Sequence, residues 1–278
     1  MTQTSVPFDQ NVGRWNRYTT SLKGRVRHAL ILHQLEQHFP AMGADLRALD
    51  AGCGLAEVAS ALMIKKPRQM VLLDFSANML MEARKRLTEK HSAAELEPVV
   101  FVHGRLEEVA SNLPAGFFNL ILCHNVLEYV SDPPATLALL ADRLAPDGLL
   151  SLVAANRYSE AFKLALVKFD FAAARSALAK EESSADLFDQ APKRAFAISE
   201  LEKMVRGLGL SIVAGYGVRI FTDYLPEQAT DTPENERRLL ELEKAACAVE
   251  ACVQAARYFH LICRKQATRG RSESGNPL

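Results

Sequence analysis

Apolar positions along the chain recur with two different spacings, and the two alternate. Leu22, Val26, Leu30, Leu32 and Leu35 form an approximate helical stripe over residues 22–39. Residues 46–51 then read as a strand, 56–64 as a helix and 70–74 as a strand. Residues 77–87 read as a helix that Ser76 is placed to cap. Residues 98–103 and 117–123 give a third and a fourth strand. A helix at 134–144 leads through "APDG" to a fifth strand at 149–154. Short apolar strands separated by helices predict an α/β fold, a parallel, doubly wound Rossmann-like sheet covered on both faces.

The rhythm breaks after the fifth strand. Residues 156–195 carry an amphipathic helix, 159–178, and an acid-rich linker, "KEESSADLFDQAPKR", too long for an ordinary connection. They read as an inserted helical cap above the strand C-termini. "SELE" at 199–202 has the form of a capping box opening a helix to about residue 208. A strand at 211–220, a long helix at 233–252 and a strand at 256–264 follow. The expected organisation is an N-terminal helical segment (1–45), a main domain (46–265) and a polar, disordered tail (266–278). Within the first segment, residues 8–18 are aromatic and polar on one side, a pattern suited to lying over a ligand.

Composition narrows the partners. Among 278 residues, 33 basic side chains balance 33 acidic ones, so a polyanion would have to be held by a local patch. No apolar run approaches the ~18 residues of a membrane span, and the first residues lack a signal-peptide core. No membrane partner and a cytoplasmic location are the expectation, while oligomeric state is left open. The five cysteines are odd in number and form no CxxC pair, which points to buried thiols in a reducing compartment, with no metal site.

Candidate chemistry concentrates in "LDAGCGLAE", residues 49–57. Gly52 and Gly54, with Cys53 between them, follow the first strand and let a ligand approach bare backbone. A dinucleotide fingerprint would place its third glycine at Glu57, where a carboxylate repels a pyrophosphate at the helix N-terminus. Asp50 suits an ammonium better than a phosphate. Asp74, ending the second strand, is placed to accept two ribose hydroxyls. These features favour S-adenosylmethionine (SAM) over NAD(P).

"LDAGCG", "LLDFS", "ILCHNVLEYV" and "LAPDGLLSLV" resemble the successive strand-end motifs of class I SAM-dependent methyltransferases, whose sheet ends in an antiparallel hairpin. Residues 211–220 and 256–264 could supply that hairpin. "TTSLKGRVRHAL", "LCHNVLEYVSDP", "GVRIFTDYL" and "ARYFHLICRK" are similar to one subfamily, the bacterial tRNA 5-carboxymethoxyuridine methyltransferases, over residues 8–265. The resemblance implies that Arg27 reaches the SAM carboxylate, Gly52 the methionine segment and Asp74 the ribose. It also implies that Gly104 and Arg105 flank the adenine and that His124 lies beside the reacting centre. The implied substrate is tRNA, methylated on the carboxylate of a modified wobble uridine.

A carboxylate, with a reference pKa near ~4, is already ionised at neutral pH and needs orientation rather than a general base. Arg219 and Arg257 are the candidates to orient it, with Tyr224 and Tyr258 as nearby donors. Cys123 and His124 are neighbours on a strand and face opposite sides, so they form no nucleophile–base pair. Two other readings remain open: a methyltransferase of a small-molecule carboxylic acid with the insertion as a lid, and a non-catalytic SAM-binding protein.

Overall fold

A computed structural model of the chain describes residues 5–39, 45–179, 182–183, 193–226, 230 and 232–266. The chain opens with three helices, α1 (Val6–Gln10), α2 (Val12–Thr20) and α3 (Leu22–Glu36). Ser21 caps α3 by accepting from the Gly24 amide. Strand β1 (Arg47–Ala51) leads to α4 (Glu57–Leu62), and β2 (Gln69–Asp74) to α5 (Ala77–Lys90) and the short α6 (Ala93–Leu96). Ser76 caps α5 through the Met79 amide, as its position predicts. Next come β3 (Val99–His103), α7 (Leu106–Val109), β4 (Phe118–His124), α8 (Pro133–Arg143) and β5 (Leu144–Ala155). After them lie α9 (Ser159–Leu166), α10 (Phe171–Leu178), the two-residue strands β6 (Glu182–Ser183) and β7 (Lys193–Arg194), and α11 (Ile198–Gly207). The last elements are β8 (Leu210–Val218), α12 (Pro233–Ala246), α13 (Glu250–Ala255) and β9 (Tyr258–Lys265).

Seven strands form one sheet in the order β3-β2-β1-β4-β5-β9-β8. The first five are parallel, and β9 lies antiparallel between β5 and β8. Side chains alternate across this sheet with period two. Along β4, Leu120 and Leu122 enter the apolar layer shared with Leu30, Leu72 and Ile262, while Ile121 and Cys123 enter the opposite layer with Leu49, Leu140 and Phe259. Cys123 and His124 are thereby held on opposite faces, as expected. Strand order reverses between β1 and β4, and a crevice opens at the C-terminal ends of strands where it does.

Three expectations are corrected in detail. The helix over 159–178 is two helices, because Phe169 turns into the left-handed region at φ 54° and Asp170 caps α10 through the Ala173 amide. The helix over 233–252 ends at Ala246 and restarts at Glu250. The capping box does not begin at Ser199: that residue lies inside α11, and Glu200 reaches back to the Ala197 amide. The β8–β9 pair is antiparallel as expected, with α12 and α13 in its connection. Most of the acid-rich linker and nearly all of the 266–278 tail fall outside the described residues. Among those described, no helix is long and apolar enough to cross a membrane, no cluster is suited to a metal ion, and all five cysteines are free thiols.

Candidate active site

A cavity of about 530 Å³ lies at the strand C-termini, within the size range of small-molecule sites. Arg27, Gly52, Gly54, Asp74, Arg105, His124, Arg219, Arg257 and Tyr258 all line it. Asp50, Cys53, Gly104 and Tyr224 do not.

The glycine loop shapes one end. Gly52 has φ 83°, and a Cβ there would lie 2.4 Å from Val126 Cγ2; Gly54 has φ 53°. Position 52 therefore requires glycine, and Gly54 adopts a left-handed backbone that glycine takes without strain. The Gly54 amide donates to Asp74 Oδ2 at 2.8 Å and the Ser76 amide to Oδ1 at 2.9 Å, which leaves each carboxylate oxygen a further lone pair. Burial raises the Asp74 pKa to about 6 against those hydrogen bonds. Asp50 is buried behind the loop and receives no hydrogen bond from the described residues. Burial first, then Asp74 and Glu57, push its pKa up to about 8. Glu57 opens α4 and pairs with Arg86 at 3.0 Å, so a carboxylate does occupy the place of a third fingerprint glycine. Cys53 is a buried thiol whose pKa burial raises, and its sulfur contributes packing rather than lining. Gly104 acts through its backbone, donating to the Asp74 carbonyl at 3.0 Å, while Arg105 beside it reaches the cavity.

The middle of the cavity is held by two hydrogen-bonded chains. In the first, Arg27 Nη2 donates to Asn125 Oδ1 at 2.6 Å, and Asn125 Nδ2 donates to Glu128 Oε1 at 2.8 Å. Glu128 Oε1 also accepts from the Ala155 amide. Arg27 Nη1 donates to His28 Nε2, whose pKa burial and then Arg27 and Arg86 lower to about 3.

The second chain crosses the sheet from His124 to Ser151, His260 and Gln34, with separations of 2.8, 2.8 and 2.7 Å. Its polarity follows from its far end. Gln34 Nε2 donates to the Gly217 carbonyl, so Gln34 Oε1 must accept from His260 Nδ1. His260 Nε2 then accepts from the Ser151 hydroxyl, and Ser151 Oγ accepts from His124 Nε2. His124 is thus assigned the Nε2–H tautomer, with Nδ1 as an acceptor. Burial, then His260 and Arg27, lowers its pKa well below the usual value, which keeps the ring neutral.

The other end is cationic. The guanidiniums of Arg27, Arg219 and Arg257 lie 5.7, 5.5 and 5.8 Å from the centroid of one ring, that of Tyr258. Lys23 and Lys163 also line this region, against Asp223 and Glu160. Arg219 is buried, with φ 61°, and makes a fork with Asp223 through Nε at 2.8 Å and Nη2. Its Nη1 donates to Tyr18 Oη at 2.7 Å. Burial opposes the Asp223 charge, but Arg219 and Lys23 outweigh it and hold the carboxyl below the ordinary value. The fork expected to face a substrate is therefore engaged internally, and Arg219 faces the cavity with its remaining hydrogens. Arg257 Nη1 donates to Ser159 Oγ at 2.9 Å and lies 3.6 Å from Glu160. Tyr224 is corrected: its hydroxyl donates to the Ala255 carbonyl at 2.9 Å, away from the cavity.

The aromatic segment expected to lie over a ligand does line the cavity, and Asn125, Asp223 and Glu160, which sequence reasoning did not single out, complete the site. Phe8, Trp15 and Tyr18 form a wall, with Phe8 packed edge-on against Phe75 and Tyr129. Asn125, Asp223 and Glu160 position the arginines. Asn125 and Asp223 both lie inside noticed motifs, and the i,i+4 spacing of Arg219 and Asp223 was the available clue.

A family model described as "Methyltransferase domain" matches residues 49–152. Over 266 residues the chain is 31% identical to the tRNA 5-carboxymethoxyuridine methyltransferase of Escherichia coli (strain K12), covering 94% of this chain and 97% of that protein. The chain belongs to that family. It is a SAM-dependent methyltransferase of class I. Solved structures agree on the fold. The SAM-dependent methyltransferase from Mesorhizobium loti matches with a TM-score of 0.57 at 17% identity, over 88% of this chain and 99% of that one. The [4+2]-cyclase SpnF also matches, with a TM-score of 0.54 at 17% identity over 85% and 80%. A fold shared with a cyclase leaves the chemistry to be argued from the site.

Proposed function

We propose that this enzyme methylates the carboxylate of 5-carboxymethoxyuridine at the tRNA wobble position, forming the methyl ester. The observation that carries the reading is the polarity of the cavity. Its glycine-loop end is acidic, with Asp74 at the surface and Asp50 behind it, and its other end gathers three guanidiniums around Tyr258, with Lys23 and Lys163 also in the lining against two carboxylates.

The acidic end fits SAM. Asp50, buried behind the glycine loop, would favour the ammonium through its charge rather than by lining the cavity. Asp74 would accept the ribose hydroxyls, Arg27 would pair with the amino-acid carboxylate, and Gly104–Arg105 would border the adenine. When bound, SAM supplies a methyl group activated by its sulfonium. The chain's own contribution is then orientation. Arg257 and Arg219 hold an anionic acceptor at the cationic end, and Tyr258 spaces the guanidiniums. His124, neutral and of low basicity, would be a poor base for a hydroxyl or amine acceptor. A carboxylate needs no proton removed. The 31% full-length identity to a relative named for a carboxymethoxyuridine supports the same acceptor, and a tRNA substrate accords with the cytoplasmic location expected from the sequence.

The test is transfer of labelled methyl from SAM to tRNA carrying 5-carboxymethoxyuridine and to tRNA lacking it. Label only in the first, released by mild base as methanol, is the expected result. Arg257→Ala should lower kcat/KM by about 10²-fold, as for a lost charge-assisted contact. No label in either tRNA, with SAM still bound, would redirect the search to small carboxylic acids.

A further inference from the structure

Helices α9 and α10 display an unusual surface. Of the 13 large apolar side chains exposed among the described residues, five lie here: Phe162, Leu166, Phe169, Phe171 and Leu178. Phe169 is 73% exposed and Phe171 70%. Helical spacing puts Phe162 and Leu166 on one face of α9, and Phe171 and Leu178 on one face of α10, with Arg175 between them. Clusters of this kind on a folded chain mark binding surfaces.

Cations are interleaved with the rings. Lys163, Lys168 and Arg175 form no ion pair among the described residues. The two acids of this unit are engaged, Asp170 in capping α10 and Glu160 beside Arg257. Lys163 lines the cavity, so the surface adjoins its cationic end. Exposed aromatic rings beside cations that form no ion pair among the described residues match single-stranded nucleic acid, whose bases stack on the rings while its phosphates meet the charges.

We infer that α9 and α10 form a docking platform for the single-stranded loop that carries the target base: Phe169 and Phe171 stack flanking bases, and Lys168 and Arg175 neutralise phosphates. This inference rests on the tRNA reading above. A base presented to a closed cavity has to leave the stack of its loop, and a ring at the rim compensates its neighbours for that loss. A lipid surface would be met by the aliphatic residues with the cations flanking them, whereas here Arg175 shares the face of α10 with Phe171 and Leu178.

The experiment uses the full chain and fully modified tRNA. Phe169→Ser combined with Phe171→Ser should raise KM for tRNA by at least tenfold, with kcat and SAM affinity within about twofold of the parent. Lys168→Gln combined with Arg175→Gln should reduce the steepness with which KM rises with salt. If the parent methylates tRNA but the serine variant does so with unchanged KM, the platform is wrong and the tRNA reading stands. If the parent fails to methylate tRNA, both fall. Dissociation of a parent dimer on substitution, or loss of binding to anionic vesicles, with tRNA KM unchanged, would assign the surface to a second copy or a membrane and overturn the inference.

Discussion

At Asp50 the fold keeps a carboxyl neutral until a cation approaches. Its pKa is raised to about 8, by burial first and then by Asp74 and Glu57, so it keeps its proton at neutral pH until a cation arrives. Asp74, at about 6, behaves likewise over a narrower window. Both folded values exceed the unfolded value near 3.8, so the native state binds more protons than the unfolded chain. Their contribution to stability is therefore complete below pH ~4, and it is lost as pH rises through ~6 for Asp74 and ~8 for Asp50. Unliganded protein should lose stability between pH 5 and 8, at on the order of 1 kcal/mol per pH unit where one such group dominates. Thermal melts across that range check it. Asp50→Asn should flatten the slope and raise the unliganded Tm, while weakening SAM binding by about tenfold through loss of a nearby negative charge. An unaltered slope in the variant would place the titrating group elsewhere. Asp50, Gly52 and Asp74 were legible in the sequence because they sit within or at the ends of two strands that pair with each other. Asn125 was not, because its role is defined by an arginine 98 residues away.

Between β8 and α12 the chain carries Arg219 into the cavity, and Glu243 fixes that turn. Its side chain is fully buried and accepts from the amides of Ile220, Phe221 and Thr222 at 2.8, 3.0 and 2.9 Å, and from the Thr222 hydroxyl at 2.6 Å. Both oxygens face donors, so a side-chain amide in their place would set its NH2 against an N–H. Glu243→Gln should destabilise the protein by about 1–3 kcal/mol, read from urea unfolding. SAM affinity should change little, because the glycine loop is elsewhere, while KM for the methyl acceptor rises as Arg219 and Asp223 lose their fixed turn. An equal loss of both affinities would show that the turn supports the whole cavity. Nothing local marks Glu243, which sits in a charged helix among other acids. Helix interruptions were similarly hidden. The break at 167–170 contains neither Pro nor Gly, so apolar periodicity runs through it, and Asp170 as a cap was the one local trace. The doubly wound sheet fared better, because five short apolar runs separated by helices leave few ways to build a parallel sheet.

Across the whole molecule, the cavity has one wall unlike the others. The sheet, α3 and the strand-end loops are anchored in the two apolar layers, whereas α1 and α2 bury only Thr19 among their described side chains. These two helices are attached through polar and aromatic contacts. Asp9 accepts from the Ser76 hydroxyl at 2.6 Å, Asn16 and Thr19 accept from Arg86, and Phe8 rests on Phe75 and Tyr129. A segment with so little buried apolar surface opens at low free-energy cost, well before the sheet does. It also supplies Phe8, Trp15 and Tyr18 to the cavity, so a ligand there gives it contacts that the empty protein lacks. Binding to the closed arrangement alone stabilises it by RT ln(1 + [L]/Kd), about 2.7 kcal/mol at a hundredfold excess over Kd. Backbone amides of residues 6–20 should therefore exchange with deuterium quickly in the unliganded protein and slow by about 10- to 100-fold with saturating SAM, while those of β1, β4 and β5 change little. Peptide-resolved hydrogen exchange separates the two groups. Equal protection of residues 6–20 with and without SAM would mean that the wall is already closed, and that the ligand enters at the α9–α10 side.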